Sequence, residues 1–293
     1  MVSSFCRHNE NCDNEPAVQN IINFFQNQLG RDCSGDREPV LMALKALGNT
    51  GHASQVISVL NNCMANEAAT VEVRVAAINA MRRMDCNADT TALLDILRST
   101  YTDSELRINA YLALMRCPSE NTLVIVKRLL ESEEINQVGS FIWTHLTNLK
   151  ETDSPLKQEF KAILANHQLQ KEFDLDKRKF SRNIEWSAFN DAINTGAAVE
   201  SNLIWSSQSF VPRSAMVNLT VDLFGHSVNL VEFGGRVQGL DAILENMFAD
   251  SPESEIQSNK INNFDSSVSI ALKLFHFQDL ISVIHNRNCN LNL

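Results

Sequence analysis

The cysteines are the residues of this sequence whose number and spacing suit covalent chemistry. Two intervals between them are nearly equal, since Cys33 and Cys63 lie 30 residues apart and Cys86 and Cys117 lie 31 apart. No Cys-x-x-Cys pair is present, so the pattern gives little support to a structural zinc site. Six of the seven cysteines fall within the first 117 residues: Cys6, Cys12, Cys33, Cys63, Cys86 and Cys117.

Disulfide formation in an oxidising compartment is the chemistry that this spacing favours. Cys6, His8 and Cys12 could in principle offer three metal ligands, but a short disulfide loop between the two cysteines is the favoured interpretation. A bridge that spans one of the longer intervals would contribute about 3–4 kcal/mol by loop-closure entropy. The spacing alone does not establish which cysteines are joined, and the alternative is that all seven are buried free thiols of a cytosolic protein.

The sequence offers no catalytic pattern. It has no Gly-rich phosphate loop, no Gly-x-Ser-x-Gly, no His-Glu-x-x-His and no paired-carboxylate motif. His145 lies in the apolar stretch FIWTHL, which is typical of a packed helix residue, and His226 falls at an expected turn. We therefore predict no catalytic residue, no metal site and no enzyme.

Three Glu-led segments repeat one amphipathic helix pattern, and this repeat must position the cysteines. The segments begin at Glu38, Glu72 and Glu105, which are 34 and 33 residues apart, and a second apolar segment follows each of them. One helix pair of this length cannot bury its apolar stripe alone, so the period predicts a solenoid of stacked pairs. The Trp, Tyr and Pro landmarks of the tetratricopeptide repeat are absent. We also expect an earlier helix at 16–29, a turn at 48–52 and a fourth pair at 133–149 and 154–166.

Composition excludes several classes of function. The formal charge of −10 argues against a nucleic-acid partner, because phosphate neutralisation needs a basic face. No apolar run approaches the roughly 18 residues that a transmembrane helix needs. The N-terminus lacks the apolar region of a signal peptide, which taken literally indicates a cytosolic protein. Disulfides and a missing signal peptide together suggest an interior piece of a larger secreted protein.

The second half of the chain carries strand patterns. Residues 197–205 and 214–224 are expected strands, Gly225-His226 is the expected hairpin turn, and 227–233 is a returning strand that ends at Gly234-Gly235. A short helix is expected at 240–250 and a further strand at 266–277. Strict alternation in 214–224 places five apolar residues on one face: Ala215, Val217, Leu219, Val221 and Leu223. Helices followed by strands predict separate α and β domains with an antiparallel sheet.

Two weaker signals lie in this half. Asn218-Leu219-Thr220 is an N-glycosylation sequon on the polar side of its strand, and it has meaning only in a secreted protein. A basic cluster at 177–182 (Lys177, Arg178, Lys179 and Arg182) is usually a solvated linker. The alternative is contact with anionic lipid headgroups or an acidic receptor.

The order of these segments resembles the N-terminal module of the large lipid transfer proteins. The resemblance rests on DCSGD (32–36), KALGNTGH (45–52), EVRVAAINAMRRM (72–84), AYLALMRCPS (110–119), RKFSRN (178–183), ESNLIW (200–205) and 211–249. This family includes vitellogenin, apolipoprotein B, the microsomal triglyceride transfer protein and the arthropod apolipophorins, and the chain is most similar to an apolipophorin. The resemblance covers roughly residues 10–250.

The resemblance implies a fold and a function. The fold would be the C-terminal portion of a two-layered α-helical superhelix at 1–167, a charged connector at 168–183 and the start of an antiparallel, lipid-binding β-sheet at 184–293. The function would be lipid transport by a secreted apolipoprotein that carries phospholipid, diacylglycerol, sterol or hydrocarbon and docks to a lipoprotein receptor. No cofactor beyond bound lipid is implied. The family's conserved disulfide carries over to Cys33–Cys63, whereas Cys86–Cys117 and Cys6–Cys12 are inferred from spacing.

Two departures and two alternatives accompany this interpretation. The family's signal peptide and N-terminal barrel are missing, and residues 251–293 match poorly. One alternative is a vitellogenin-type yolk lipid storage protein. The other is a cytosolic, HEAT-like scaffold that binds proteins through a concave helical face.

Overall fold

The computed structural model describes most of the chain. The described residues are 6, 11–51, 54–82, 84, 86–117, 119–165, 169, 171, 173, 180–205, 212–238 and 265–269. The expected helix at 240–250 and residues 270–277 of the expected last strand lie outside these ranges. Contacts divide the chain into two compact units, 1–138 and 139–293.

The described helices match the repeat pattern. They are α1 (Pro16–Leu29), α2 (Arg37–Thr50), α3 (Ile57–Ala65), α4 (Val71–Met81), α5 (Thr91–Arg98), α6 (Ser104–Leu114), α7 (Glu120–Ser132), α8 (Asn136–Glu151) and α9 (Gln158–Ala165). Short 3₁₀ turns at Ser54–Val56 and Pro155–Lys157 lead into α3 and α9. The fold class predicted from the sequence, helical repeats followed by an antiparallel sheet, is confirmed.

The first unit is built in two layers of helices. The Glu-led helices α2, α4 and α6 contact one another in succession, and α1, α3 and α5 each pack beside the Glu-led helix that follows. α6 is the most enclosed of them, because every residue from Glu105 to Leu114 is buried. Side-chain caps begin the helices as their sequences require: Thr70 accepts from the Val73 amide and Asp103 from the Glu105 amide.

An arginine at equivalent positions of two repeats ties each helix pair together. Arg74 in α4 donates from Nε to the Met64 carbonyl at 2.8 Å, and Arg107 in α6 donates to the Leu97 carbonyl at 2.9 Å. Each carbonyl belongs to the last turn of the preceding helix, where backbone acceptors lack intrahelical partners. The guanidinium of Arg107 also pairs with Glu133, and both side chains are only 1% exposed. These arginine contacts were not predicted from the sequence, although the 33-residue spacing of Arg74 and Arg107, which equals the repeat period, could have indicated them.

The expected turn at 48–52 is largely helical. α2 continues to Thr50 and ends at Gly51, whose φ of 67° suits glycine at a helix C-terminus. Gly48 therefore lies inside the helix, where a glycine is needed for close packing rather than for a turn. A Cβ added at Gly48 would lie 2.9 Å from the Ala80 Cα, so the missing side chain lets α2 and α4 approach closely.

The second unit contains α8 from Gly139 onward, α9 and a five-stranded antiparallel sheet of order β1-β2-β3-β4-β5. The strands are β1 (Arg182–Asn190), β2 (Thr195–Ile204), β3 (Ser214–Leu223), β4 (His226–Gln238) and β5 (Asp265–Ser269). β1 begins inside the segment assigned to the connector, most of which lies outside the described residues. Contacts group α8 and α9 with the sheet, whereas the sequence-based boundary lies at residue 167.

Two details of the sheet differ from the sequence expectation. The β3–β4 turn is Phe224-Gly225 rather than Gly225-His226, because Leu223 pairs with His226 and both turn residues have positive φ, 52° and 84°. Such a pair of φ values is what a two-residue type I′ hairpin requires. β4 also continues through Gly234-Gly235 to Gln238, where it gains β5 as a partner.

The close approach of α2 and α4 yields a prediction. Gly48→Ala should destabilise the protein by about 1–3 kcal/mol, because the new methyl group would meet backbone rather than a movable side chain. Urea denaturation followed by circular dichroism measures this change. Gly35→Ala is the matched control, since its Cβ would meet its nearest atom, Val40 Cγ2, at an ordinary 3.6 Å. Equal stability of the two variants would contradict the close packing.

Candidate functional site

The sheet of the second unit has one apolar face and one polar face. Directly paired residues of an antiparallel sheet share a face, so the register assigns every side chain. Val217 and Leu219 are two residues apart on β3 and therefore share one face. Ser201 and Phe233 lie beside Val217 on this face, and Val199 and Val231 lie beside Leu219. We call this the apolar face: Ile184, Trp186, Ala188, Ala197, Val199, Leu203, Ala215, Val217, Leu219, Val221, Leu223, Val228, Val231, Phe233 and Val237, with Ser201 in its interior and a few small or polar residues at its ends.

The apolar face is the exposed one. Trp186 is 62% exposed, Ile184 47%, Phe233 44% and Val217 41%. The other four apolar residues predicted on β3 share this face and are half-buried by their neighbours: Ala215, Leu219, Val221 and Leu223. A contiguous apolar surface of this kind marks a site for another apolar partner, because its exposure to water is unfavourable.

The opposite, polar face is the covered one, which inverts the usual arrangement of a sheet with one wet side. Asn183 is 3% exposed, Asn202 2% and Asp222 2%. Side-chain hydrogen bonds link the polar residues of this face. The Asn183 side-chain amide donates to Oδ1 of Asn202 at 2.7 Å and to the Glu200 carboxylate at 3.0 Å. Every acidic residue of the first four strands lies on this face: Glu185, Glu200, Asp222 and Glu232.

A polar seam joins α8 to β1 along this covered face. Ser140 donates to the Ser181 carbonyl at 2.8 Å, and Thr144 accepts from the Asn183 amide at 3.0 Å. Asn148 then donates to the Asn183 side chain at 2.7 Å. Thr152, just after α8, continues the line by donating to Glu185 at 2.6 Å. Successive seam residues are four positions apart along the helix side (Ser140 to Thr152). On the strand side they are two positions apart (Ser181 to Glu185).

An ion cluster completes the seam. The Lys157 ammonium lies 2.8 Å from a carboxylate oxygen of Glu185 and 2.8 Å from one of Glu200. Burial acts to lower the pKa of Lys157, but the charges of Glu200 and Glu185 together hold it above the ordinary value of 10.5. One cation thus serves two carboxylates under the sheet, so we expect it to be needed for their burial.

The disulfides lie in the first unit. Cys33 is joined to Cys63, Cys86 to Cys117 and Cys6 to Cys12, with Cα–Cα distances of 5.1, 5.6 and 5.0 Å. These distances suit a disulfide bond. His8 lies outside the described residues. Within the described ranges, no three His, Cys, Asp or Glu side chains are grouped as a metal site requires.

The sequon residue Asn218 lies on the polar face of β3. It is half-buried, and its side-chain oxygen accepts from Asn229 on β4. His145 is buried in α8, 6.4 Å from the Phe141 ring. Among the described residues, no helix has both the length and the apolar character needed to cross a membrane.

The alternation in β3 predicts that Asp222 lies opposite Val217, on the polar side of the strand, where water is the usual neighbour. The structure corrects this expectation, because Asp222 does face away from Val217 but into the covered side, where it accepts from Ser227. Replacing it would therefore remove a buried acceptor rather than test the apolar face. Sequence analysis also missed Lys157, Glu185 and Glu200, since their partners are 28 and 43 residues away along the chain.

The comparisons agree with this architecture. A family model described as "Vitellogenin TPR domain" matches residues 1–147, and one described as "Vitellinogen, open beta-sheet" matches residues 179–279. An apolipophorins protein of Locusta migratoria is 38% identical over 91% of this chain, and a vitellogenin of Penaeus merguiensis is 33% identical over 84%. The chain spans only 8% and 10% of those proteins.

A solved structure also shares the fold. The structure titled "Lipid-protein interactions in lipovitellin" superposes with a TM-score of 0.74 at 22% sequence identity. The match covers 86% of this chain and 27% of that one. It supports the order of helical layers and antiparallel sheet.

The ion cluster predicts the effect of removing its cation. Lys157→Met would remove the ammonium that lies 2.8 Å from both Glu185 and Glu200, so we expect a loss of about 3 kcal/mol of unfolding free energy at neutral pH. Lys161→Met is the matched control one turn later. Lys161 lies 3.7 Å from Asp153, and both side chains are more exposed, 36% and 62%, so its loss should cost under about 1 kcal/mol. Equal losses in the two variants would contradict the cluster.

The same variant has a defined pH dependence. Because the folded-state pKa of Lys157 is raised above 10.5, its contribution is complete below that pH and declines as the pH rises through the higher folded value. The stability difference between wild type and K157M should therefore stay constant from about pH 7 to 10 and shrink at more alkaline pH. Denaturant titrations across this range measure the difference.

Proposed function

Because this chain belongs to the vitellogenin family of large lipid transfer proteins, we propose that it is part of a lipid transport protein and that its apolar sheet face contacts the lipid. The observation that carries this proposal is the inversion of the sheet. α8, together with Thr152 and Lys157 just after it, packs on the polar face, and the apolar face is left uncovered by the described residues, with Trp186 62% exposed. A soluble domain gains nothing from such a surface unless a further apolar partner occupies it.

Lipid is the occupant that the surface chemistry favours. A protein interface usually surrounds its apolar centre with polar residues and supplies hydrogen-bonding groups. The central rows of the apolar face instead carry aliphatic and aromatic side chains across four strands, interrupted at Ser201. Phospholipid, diacylglycerol, sterol and hydrocarbon can all use such a surface, because hydrophobic burial is not directional.

The helical unit would then act as a brace. Its disulfides, its buried Arg107–Glu133 pair and its arginine-capped repeats keep the layers in fixed positions. Disulfides are typical of extracellular proteins, so we also propose that the protein acts in an oxidising fluid outside the cell. Asn218 is the proposed glycan site, on the face opposite to the lipid.

The lipid contact is tested by placing a carboxylate at each of two positions on the apolar face. Val217→Asp and Leu219→Asp each place a carboxylate on the apolar face, and we expect each to reduce binding to phosphatidylcholine vesicles at least about tenfold, because a charge in hydrocarbon is strongly unfavourable. Vesicle flotation measures the binding. Val217→Thr is the matched control, because it keeps the size and shape of the side chain at the same exposed position without adding a charge. Equal binding by all four proteins would reject the proposal.

The compartment is tested by mass spectrometry of the protein secreted from insect cells. Non-reducing digestion should give linked peptides for Cys33–Cys63, Cys86–Cys117 and Cys6–Cys12, because an oxidising compartment preserves such bonds. Deamidation of Asn218 on glycan removal should show that the sequon is used. Free thiols at all six positions would instead favour a cytosolic protein.

A further inference from the structure

Arg182 is the one arginine, lysine, aspartate or glutamate on the apolar face of the first four strands. It is the first residue of the edge strand β1 and pairs with Leu203, so its side chain shares the face of Ile184 and Trp186. The four acidic residues of β1 to β4 and Arg236 lie on the opposite face. The acidic side chains that could have neutralised Arg182 are therefore on the wrong side of the sheet.

The surroundings of Arg182 hold it in place but leave it unsatisfied. Its neighbours along the chain are fixed in the polar seam, since Ser181 accepts from Ser140 and Asn183 bonds to Asn148. Arg182 itself is half-buried, and its Nε is buried without a hydrogen-bond partner among the described residues. That nitrogen is enclosed by protein and out of a ligand's reach, so an anionic ligand would be met by the rest of the guanidinium, which has no acidic partner on this face of the described strands.

The apolar band beyond Arg182 is long enough to take one layer of acyl chains. The six residue steps from Arg182 to Ala188 span about 20 Å of extended strand. The hydrocarbon of one bilayer leaflet is about 15 Å thick. A phosphate placed at Arg182 would therefore lay its acyl chains over Ile184 and Trp186 and end near the polar residues Asn190 and Thr195 of the β1–β2 hairpin.

We propose that Arg182 binds the phosphate of a phospholipid at the rim of the apolar face and thereby sets which lipids the sheet prefers and how they are oriented. Guanidinium groups bind phosphate through paired, charge-assisted hydrogen bonds. Diacylglycerol, sterol and hydrocarbon carry no group that could use this cation. The inference rests on the proposed lipid contact and adds a headgroup site to it.

Two lipids that differ only in their headgroup test the inference. Dihexanoylphosphatidylcholine and dihexanoylglycerol have the same acyl chains and are used as monomers in solution, with binding to the full chain followed by tryptophan fluorescence. The wild type should bind the phospholipid at least about tenfold more tightly, the gain of a charge-assisted contact. Arg182→Gln should lose this preference and bind the glyceride within about twofold of wild type, whereas Val217→Asp should weaken both. Arg182→Lys, which keeps the charge, should retain part of the preference.

The possible results separate this inference from the proposed function. Equal wild-type affinity for the two lipids, or an equal loss of both in R182Q, would overturn the role of Arg182 and leave the apolar contact in place. If R182Q does not fold, the wild-type preference and R182K still decide. Displacement of the phospholipid by equimolar inorganic phosphate would mean a phosphate site rather than a lipid site and would also overturn it. If the wild type binds neither lipid, the proposed function itself fails.

Discussion

The polar seam between α8 and β1 is the interaction on which the second unit depends. Residues four apart on a helix rise about 6 Å, and residues two apart on a strand advance about 6.8 Å. The two repeats are close enough for the seam to run along both elements. Ser140 meets Ser181, Thr144 and Asn148 both meet Asn183, and Thr152 meets Glu185 and Ser187. Each step of the seam is a hydrogen bond of modest net value, but leaving any one of these buried groups unpaired would cost more than the bond contributes. The seam is therefore more important for the register of helix and strand than for total stability.

The seam also decides what the sheet can do. Because α8 packs on the polar face, the apolar face of the strands remains for a partner. A sheet packed the ordinary way would bury Val217, Trp186 and Phe233 under helices and have no apolar surface to offer. The cost of this inversion is a set of buried charges, and the single Lys157 between Glu185 and Glu200 offsets much of it. In the same way, Arg107 and Glu133 satisfy each other inside the helical unit, where an unpaired charge would be strongly destabilising.

The sequence predicted the parts of this fold that are periodic. The 33- and 34-residue repeat gave the helices around Glu38, Glu72 and Glu105, and the alternation from Ala215 to Leu223 gave β3 and its two faces, because both signals are local. The alternation placed Asp222 on the correct face but could not say that this face is covered, since polar residues normally face water. β1 was missed because its apolar residues, Ile184 and Trp186, are few and its polar ones look like loop. The seam and the ion cluster depend on pairs far apart in the chain, which no periodic signal reports.

The composition of α8 shows why the helices do not settle on the apolar face instead. Ser140, Thr144, Asn148 and Thr152 form a stripe with hydroxyl and amide groups at every turn, and against Val217 or Trp186 each would lose its water without gaining a partner. The penalty of several such groups exceeds what the aliphatic contact could return, so the polar stripe makes the wrong docking unfavourable as well as the right one favourable. Uncovered apolar strands would otherwise attract the nearest amphipathic helix. The surface proposed for lipid therefore stays open because the polar side chains of α8 are hydrogen-bonded to the opposite face of the sheet.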